Sequence, residues 1–96
     1  MRDEYRIFET EEFQRTLGRL PARERDAVRG KLTNYAYPSL REQPYSGPNI
    51  RKLRGYTPET WRYRIGRYRV FCLVDQVELV VYLLTVEARK AVCARY

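Results

Sequence analysis

The chain has 96 residues, enough for one domain with a single core and too few for two. Nineteen Lys and Arg against twelve Asp and Glu leave a net charge of +7, and a hydrophobic fraction of 44% excludes a wholly disordered chain. No apolar run approaches the ~18–20 residues of a membrane helix. The charged start Met1-Arg2-Asp3-Glu4 lacks the apolar stretch of a secretion signal. A cytoplasmic protein with no membrane partner is therefore expected. In that reducing compartment Cys72 and Cys93, both in apolar surroundings, are read as buried free thiols.

Taken in chain order, Glu4 to Phe8 alternates as a short strand, with Tyr5 and Ile7 set against Arg6 and Phe8. Thr10 suits a helix N-cap, and Glu11 and Glu12 suit the positive end that follows it. Phe13, Leu17 and Leu20 then form one apolar stripe, ended by Gly18 and Pro21. Pro21 fits the first turn of a second helix whose stripe is Val28, Leu32 and Tyr35. From Tyr37-Pro38-Ser39 to Asn49, three prolines and a glycine without periodicity predict a loop. Arg51 to Arg54, Trp61 to Ile65, Tyr68 to Val74 and Val77 to Val86 read as strands, and Glu87 to Tyr96 as a closing helical turn or two. The expected fold is a single α/β (α+β) domain over residues 1–96, in the order β-α-α-β-β-β-β. Its short connections call for an α-hairpin on a mainly antiparallel sheet.

An excess of arginine can reflect genome composition, and scattered charge is usually a solvated face, so distribution decides what the charge means. Between Arg51 and Arg69 stand seven basic residues (Arg51, Lys52, Arg54, Arg62, Arg64, Arg67, Arg69) and one acid, Glu59, which is net +6. Tyr56, Trp61, Tyr63 and Tyr68 are interleaved with them. Such a concentration points to an anionic partner. Ile65-Gly66-Arg67-Tyr68 fits a two-residue hairpin turn with glycine first. That register sets 64 opposite 69 and puts Arg62, Arg64 and Arg69 on the face away from Tyr63, Ile65, Val70 and Cys72. Facing like charges cost a hairpin some stability, so the arrangement suggests an anion, and forked guanidiniums suit phosphate oxygens. If Asp75-Gln76 is also a two-residue turn, Tyr82 lies opposite Arg69. It would stack on a base there or pack on an arginine stem. Phe71, Leu73, Val80 and Leu84 would share that face, an apolar part expected to meet the C-terminal segment or a partner protein.

Lys52-Leu53-Arg54-Gly55, then Trp61-Arg62-Tyr63-Arg64-Ile65-Gly66-Arg67-Tyr68-Arg69-Val70-Phe71, and finally Leu84-Thr85-Val86-Glu87-Ala88-Arg89-Lys90, resemble the motifs of RelE/ParE toxins over almost the whole chain. The resemblance implies the toxin of a type II toxin–antitoxin system, bound by a cognate antitoxin. It further implies, as in RelE-like members, cleavage of mRNA on the ribosome. On matched positions it implies catalytic roles for Arg62, Arg64, Arg69 and Arg89; the other basic residues, Arg51, Lys52, Arg54, Arg67 and Lys90, are expected to bind RNA through their charge. Several positions depart from the family, among them Ala88, where a histidine often precedes the closing arginine. Ribosome-dependent members carry lysines at the places of Arg62 and Arg64, and the usual tyrosine near the C-terminus is replaced by Cys93 and Arg95, with Tyr96 last. A ParE-like toxin that inhibits DNA gyrase by binding is the alternative, and a module that only grips nucleic acid is a third reading.

The residues themselves limit the chemistry. The chain has no histidine and only two cysteines, so neither a two-histidine ribonuclease nor a zinc site is expected. No phosphate-binding glycine loop is present, and no small-molecule cofactor is expected. What remains is attack of a ribose 2′-hydroxyl on its own phosphate, with arginines stabilising the charge. Arginine is too strong a base to accept the proton and release it at neutral pH. Tyr82, Tyr96 and Glu87 stand as candidate proton acceptors.

Overall fold

The computed structural model describes residues 4–88. Strand β1, Arg6–Glu9, leads through Thr10 into α1, Glu11–Gly18. Thr10 has extended backbone, and its Oγ1 accepts a hydrogen bond from the Phe13 N–H at 3.1 Å, which satisfies one of the helix's free donors. The same hydroxyl donates to the Leu83 carbonyl at 2.7 Å. One side chain thus starts the helix and ties it to the last strand. Helix α2, Ala22–Lys31, follows with Pro21 as its N-cap residue, one place earlier than expected.

The largest departure from expectation lies at Tyr37, where a helix stands in place of the loop. α2 runs through a π-helical turn, Leu32–Ala36, into α3, Tyr37–Glu42. The Tyr37 N–H donates to the carbonyl of Leu32, five residues back. That extra residue widens the helix just ahead of Pro38, whose ring lacks an N–H and would press on the carbonyl one turn earlier. The insertion also shifts the core stripe. Val28 and Leu32 are buried as expected, but Ala36 then takes the place expected for Tyr35, which is 69% exposed.

Strands β2 (Ile50–Lys52), β3 (Trp61–Ile65), β4 (Tyr68–Asp75) and β5 (Val80–Ala88) complete a five-stranded sheet in the order β1-β5-β4-β3-β2. β1 runs parallel to β5 and every other pair is antiparallel. The helices cover one face. Phe13, Leu17, Leu32 and Leu40 pack there against Val70, Cys72, Val81 and Leu83.

Two expectations fail between β4 and the chain end. Asp75-Gln76 is not a two-residue turn. The Asp75 side chain accepts hydrogen bonds from the Val77 N–H (3.0 Å) and the Glu78 N–H (2.9 Å), and Leu79 turns through φ 58° before β5 begins. Glu87 and Ala88 are strand rather than helix, because Arg69 and Tyr68 extend β4 far enough to pair with them. A bulge at Leu84 sets Thr85 opposite Phe71 and Leu83 opposite Cys72, so Leu83 and Val86 both stay in the core. Arg89, Lys90, Cys93 and Tyr96 lie outside the described residues.

A polar clamp joins the layers at the end of β1. Glu9 accepts hydrogen bonds from Arg29 Nη1 at 2.6 Å and from the Tyr37 hydroxyl at 2.5 Å. Burial pushes the Glu9 carboxyl up, but the hydrogen bonds from Arg29 and Tyr37 and the charge of Arg29 outweigh it and hold the group below its usual range. Burial and the neighbouring carboxylate push Tyr37 well above the ordinary tyrosine value. Among the described residues, no helix is long and apolar enough to cross a membrane.

Candidate functional site

β3 and β4 are joined by Gly66 and Arg67, with Gly66 at φ +57°. A tight hairpin of this hand needs a positive φ at its first central residue, which glycine adopts without a Cβ clash. The register follows as the sequence predicts. Ile65 faces Tyr68, Arg64 faces Arg69, Tyr63 faces Val70 and Arg62 faces Phe71. Because Tyr63, Ile65, Tyr68 and Val70 are buried beneath the helices, Arg62, Arg64 and Arg69 belong to the uncovered face.

β2 adds a pairing that sequence spacing left open, for Arg51 faces Arg62. Four guanidinium groups therefore stand in two facing pairs across three neighbouring strands ~4.7–4.9 Å apart. Arg51 and Arg64 are exposed, and Arg62 and Arg69 are half-buried. The Arg69 Nε is buried, and among the described residues it has no hydrogen-bond partner. A buried donor without an acceptor costs free energy, so the position favours any acceptor that reaches it. Glu87, exposed, stands on β5 opposite Arg69.

Tyr82 does not lie opposite Arg69. The longer turn sets it opposite Leu73, and its ring meets Phe8 edge-on at 5.7 Å between centroids. The uncovered face is thus divided. Its cationic half spans β2, β3 and the start of β4. Its other half, on β1, β5 and the end of β4, carries Phe8 (54% exposed), Leu73, Val80 and Tyr82.

The wider basic set does not form one surface. Arg51 joins the arginine face. Lys52 has the opposite parity and pairs with Glu59 at 2.9 Å. Arg54 sits in the exposed loop after β2, and Arg67 at the hairpin tip. Cys72 lies fully inside the core, where burial pushes its thiol up to about 12, so it cannot serve as a nucleophile at neutral pH. Among the described residues, no group of three or more His, Cys, Asp or Glu is placed to hold a metal ion.

Helices on one side of a mixed five-stranded sheet, with paired arginines on the bare side, define the class: a small α+β domain of the RelE/ParE toxin superfamily. A family model described as the ParE toxin of the type II toxin–antitoxin system parDE matches residues 7–91, and the chain belongs to that family. No curated protein sequence matches it. Among solved structures, it is similar to the RelBE2 toxin–antitoxin complex of Mycobacterium tuberculosis, with 27% identity, TM-score 0.72, and 93% of this chain and 95% of that chain covered. The isolated RelE toxin of E. coli (23% identity, TM-score 0.63, 96% and 99% covered) shares the fold. So does the intact E. coli RelBE complex (24% identity, TM-score 0.63, 88% and 95% covered).

Proposed function

We propose that the protein is a toxin that cleaves mRNA on the ribosome and is neutralised by a cognate antitoxin. What carries this reading is the Arg64–Arg69 pair, two facing cations on the uncovered sheet with the buried Arg69 Nε lacking an acceptor among the described residues. Such an arrangement opposes folding and matches a phosphate. The ribose 2′-oxygen attacks the adjacent phosphorus and gives up its proton, the bond to the 5′-oxygen breaks, and that oxygen takes a proton from water. The products are a 2′,3′-cyclic phosphate and a 5′-hydroxyl end. Arg64 and Arg69 meet the charge that builds on the phosphoryl oxygens in the transition state. Of the candidate proton acceptors, Glu87 stands across from Arg69, whereas Tyr82 lies in the apolar half. We assign the base to Glu87. Ribosomal RNA would position the codon, which relieves so small a protein of that task.

The antitoxin reading is supported by the RelBE complexes among the similar structures and by the apolar half of the uncovered face. An acidic partner laid over the arginines would neutralise them and leave no room for RNA. The match to a ParE family model favours a second reading, inhibition of DNA gyrase without nuclease chemistry. A purified translation reaction read by primer extension separates the two. Cuts inside codons in the ribosomal A site are expected. Intact message together with inhibited supercoiling would replace this reading with the second.

A further inference from the structure

Behind the arginine face, on the helix side of the hairpin tip, is a cavity of about 260 Å³. Lys31, Tyr35, Asn49, Arg64 and Gly66 line it, together with the buried Tyr63 and Ile65. Its lining holds two cations and no acid. Tyr35, which the stripe spacing assigned to the core, is turned out at 69% exposure by the π-helical turn. Pi turns inside helices often mark functional positions. Lys31 stands four residues before it on the same helical run, so ammonium and ring share one side of the helix. The cavity is below the ~300–1,000 Å³ typical of drug-sized ligands.

Arg64 connects this cavity to the arginine face. It pairs with Arg69 on the uncovered side and also lines the cavity. β2 reaches only as far as Tyr63, and beyond it the sheet edge is met by one backbone contact, the Arg64 N–H to the Asn49 carbonyl at 2.9 Å. Beyond Tyr63, β3 has no strand outside it, so its edge at Arg64 lies between the two faces.

We infer that this cavity is a nucleotide subsite that takes the base next to the one held on the arginine face, with Tyr35 as its stacking platform. The inference rests on the RNA reading above. The backbone phosphate turns over Arg64, Lys31 neutralises the following phosphate, and the Asn49 side chain is at hand for the base edge. Stacking on an exposed aromatic tolerates any base, so Tyr35 governs grip more than sequence choice. Asn49 is placed to supply what preference there is.

The test uses ribosomes programmed with a message that carries 2-aminopurine beside a 2′-deoxynucleotide, which blocks cutting. Stacking quenches the fluorescence of 2-aminopurine, and co-sedimentation reports toxin binding independently. The protein and its Tyr35→Phe variant should quench the probe. Tyr35→Ala should abolish the quench and weaken retention about tenfold, with an unchanged thermal midpoint because the ring is exposed. Lys31→Gln should weaken retention while leaving the quench at saturation. Quenching that survives Tyr35→Ala overturns the subsite, as does normal co-sedimentation with no quench in the parent protein. In both cases the nuclease reading stands. Failure of the parent protein to co-sediment with ribosomes overturns that reading and the subsite with it.

Discussion

Along β3 and β4 the two faces of the sheet share a backbone and are built in opposite ways. Tyr63, Val70 and Cys72 sit under the helices and exclude water, and Arg62, Arg64 and Arg69 alternate with them on the other face, Arg64 opposite Arg69 and Arg62 opposite Arg51, with no layer above among the described residues. On the covered face each neighbour supports the next, and burial of apolar surface holds the fold together. On the bare face, facing cations and the buried Arg69 Nε work against the fold. Loss of a side chain from the first should therefore cost stability and spare chemistry. Loss from the second should cost chemistry and spare stability.

The largest effect is expected in the core. Leu83→Ala should lower unfolding free energy by ~2–5 kcal/mol, measured by urea denaturation, while the folded fraction cuts RNA at the parental rate. Next is Arg69→Ala, which should slow single-turnover cutting on programmed ribosomes by ~100-fold or more. Its thermal midpoint should hold or rise, because one of two facing charges is gone. Arg69→Lys should recover only part of the rate, since it keeps the charge and loses the fork. An Arg69→Ala protein that cuts at the parental rate would break the comparison, and one that is inactive only because it unfolds would place Arg69 with the core.

The clamp at Glu9 gives a smaller effect, readable through pH. Glu9 is held below its usual range in the folded state, so its contribution is present at neutral pH and is lost as pH falls through the folded value. Tyr37 and Cys72 are shifted up, so their contribution is full below the ordinary values of 10 and 9 and declines as pH rises beyond them. Urea midpoints across pH should fall at both ends. Glu9→Gln should flatten the acid limb, and Cys72→Ala should soften the alkaline one. The smallest effect is expected for Tyr82→Phe. With Tyr82 opposite Leu73 and against Phe8, its hydroxyl should be dispensable and cutting unchanged. A large loss would return the proton acceptor to that ring.

What could be read from the sequence followed from local chemistry. Gly66 alone determined the hairpin register, because few residues adopt its φ, and the Arg64–Arg69 pairing came with it. The Thr10 cap was legible because its hydroxyl can accept from a free N–H of the helix's first turn. Elsewhere short-range signals were outweighed. Pro38 looked like a helix end, but the π turn absorbs it within the helix and exchanges Tyr35 for Ala36 in the core. Asp75 looked like part of a two-residue turn, yet its carboxylate gathers two backbone N–H groups and lengthens the turn. That change moved Tyr82 away from Arg69, and the bulge at Leu84, which no periodicity encodes, then brought Glu87 opposite Arg69. Arg51 was visible as a basic residue, but its place opposite Arg62 depends on where β2 starts.

The parallel pairing of β1 with β5 also bears on how the molecule comes into being. Arg6 to Glu9 find their partners at Val80 to Leu83, more than seventy positions later in synthesis. A nascent chain can form its helices and the β3–β4 hairpin early, since those contacts are local. The strand that Thr10 and Glu9 anchor stays unpaired until β5 has been translated. Contacts of such high sequence separation also slow folding after release. Closure of the sheet by β1 is thereby delayed until β5 has been made, well after the β3–β4 hairpin that carries Arg64 and Arg69 can form.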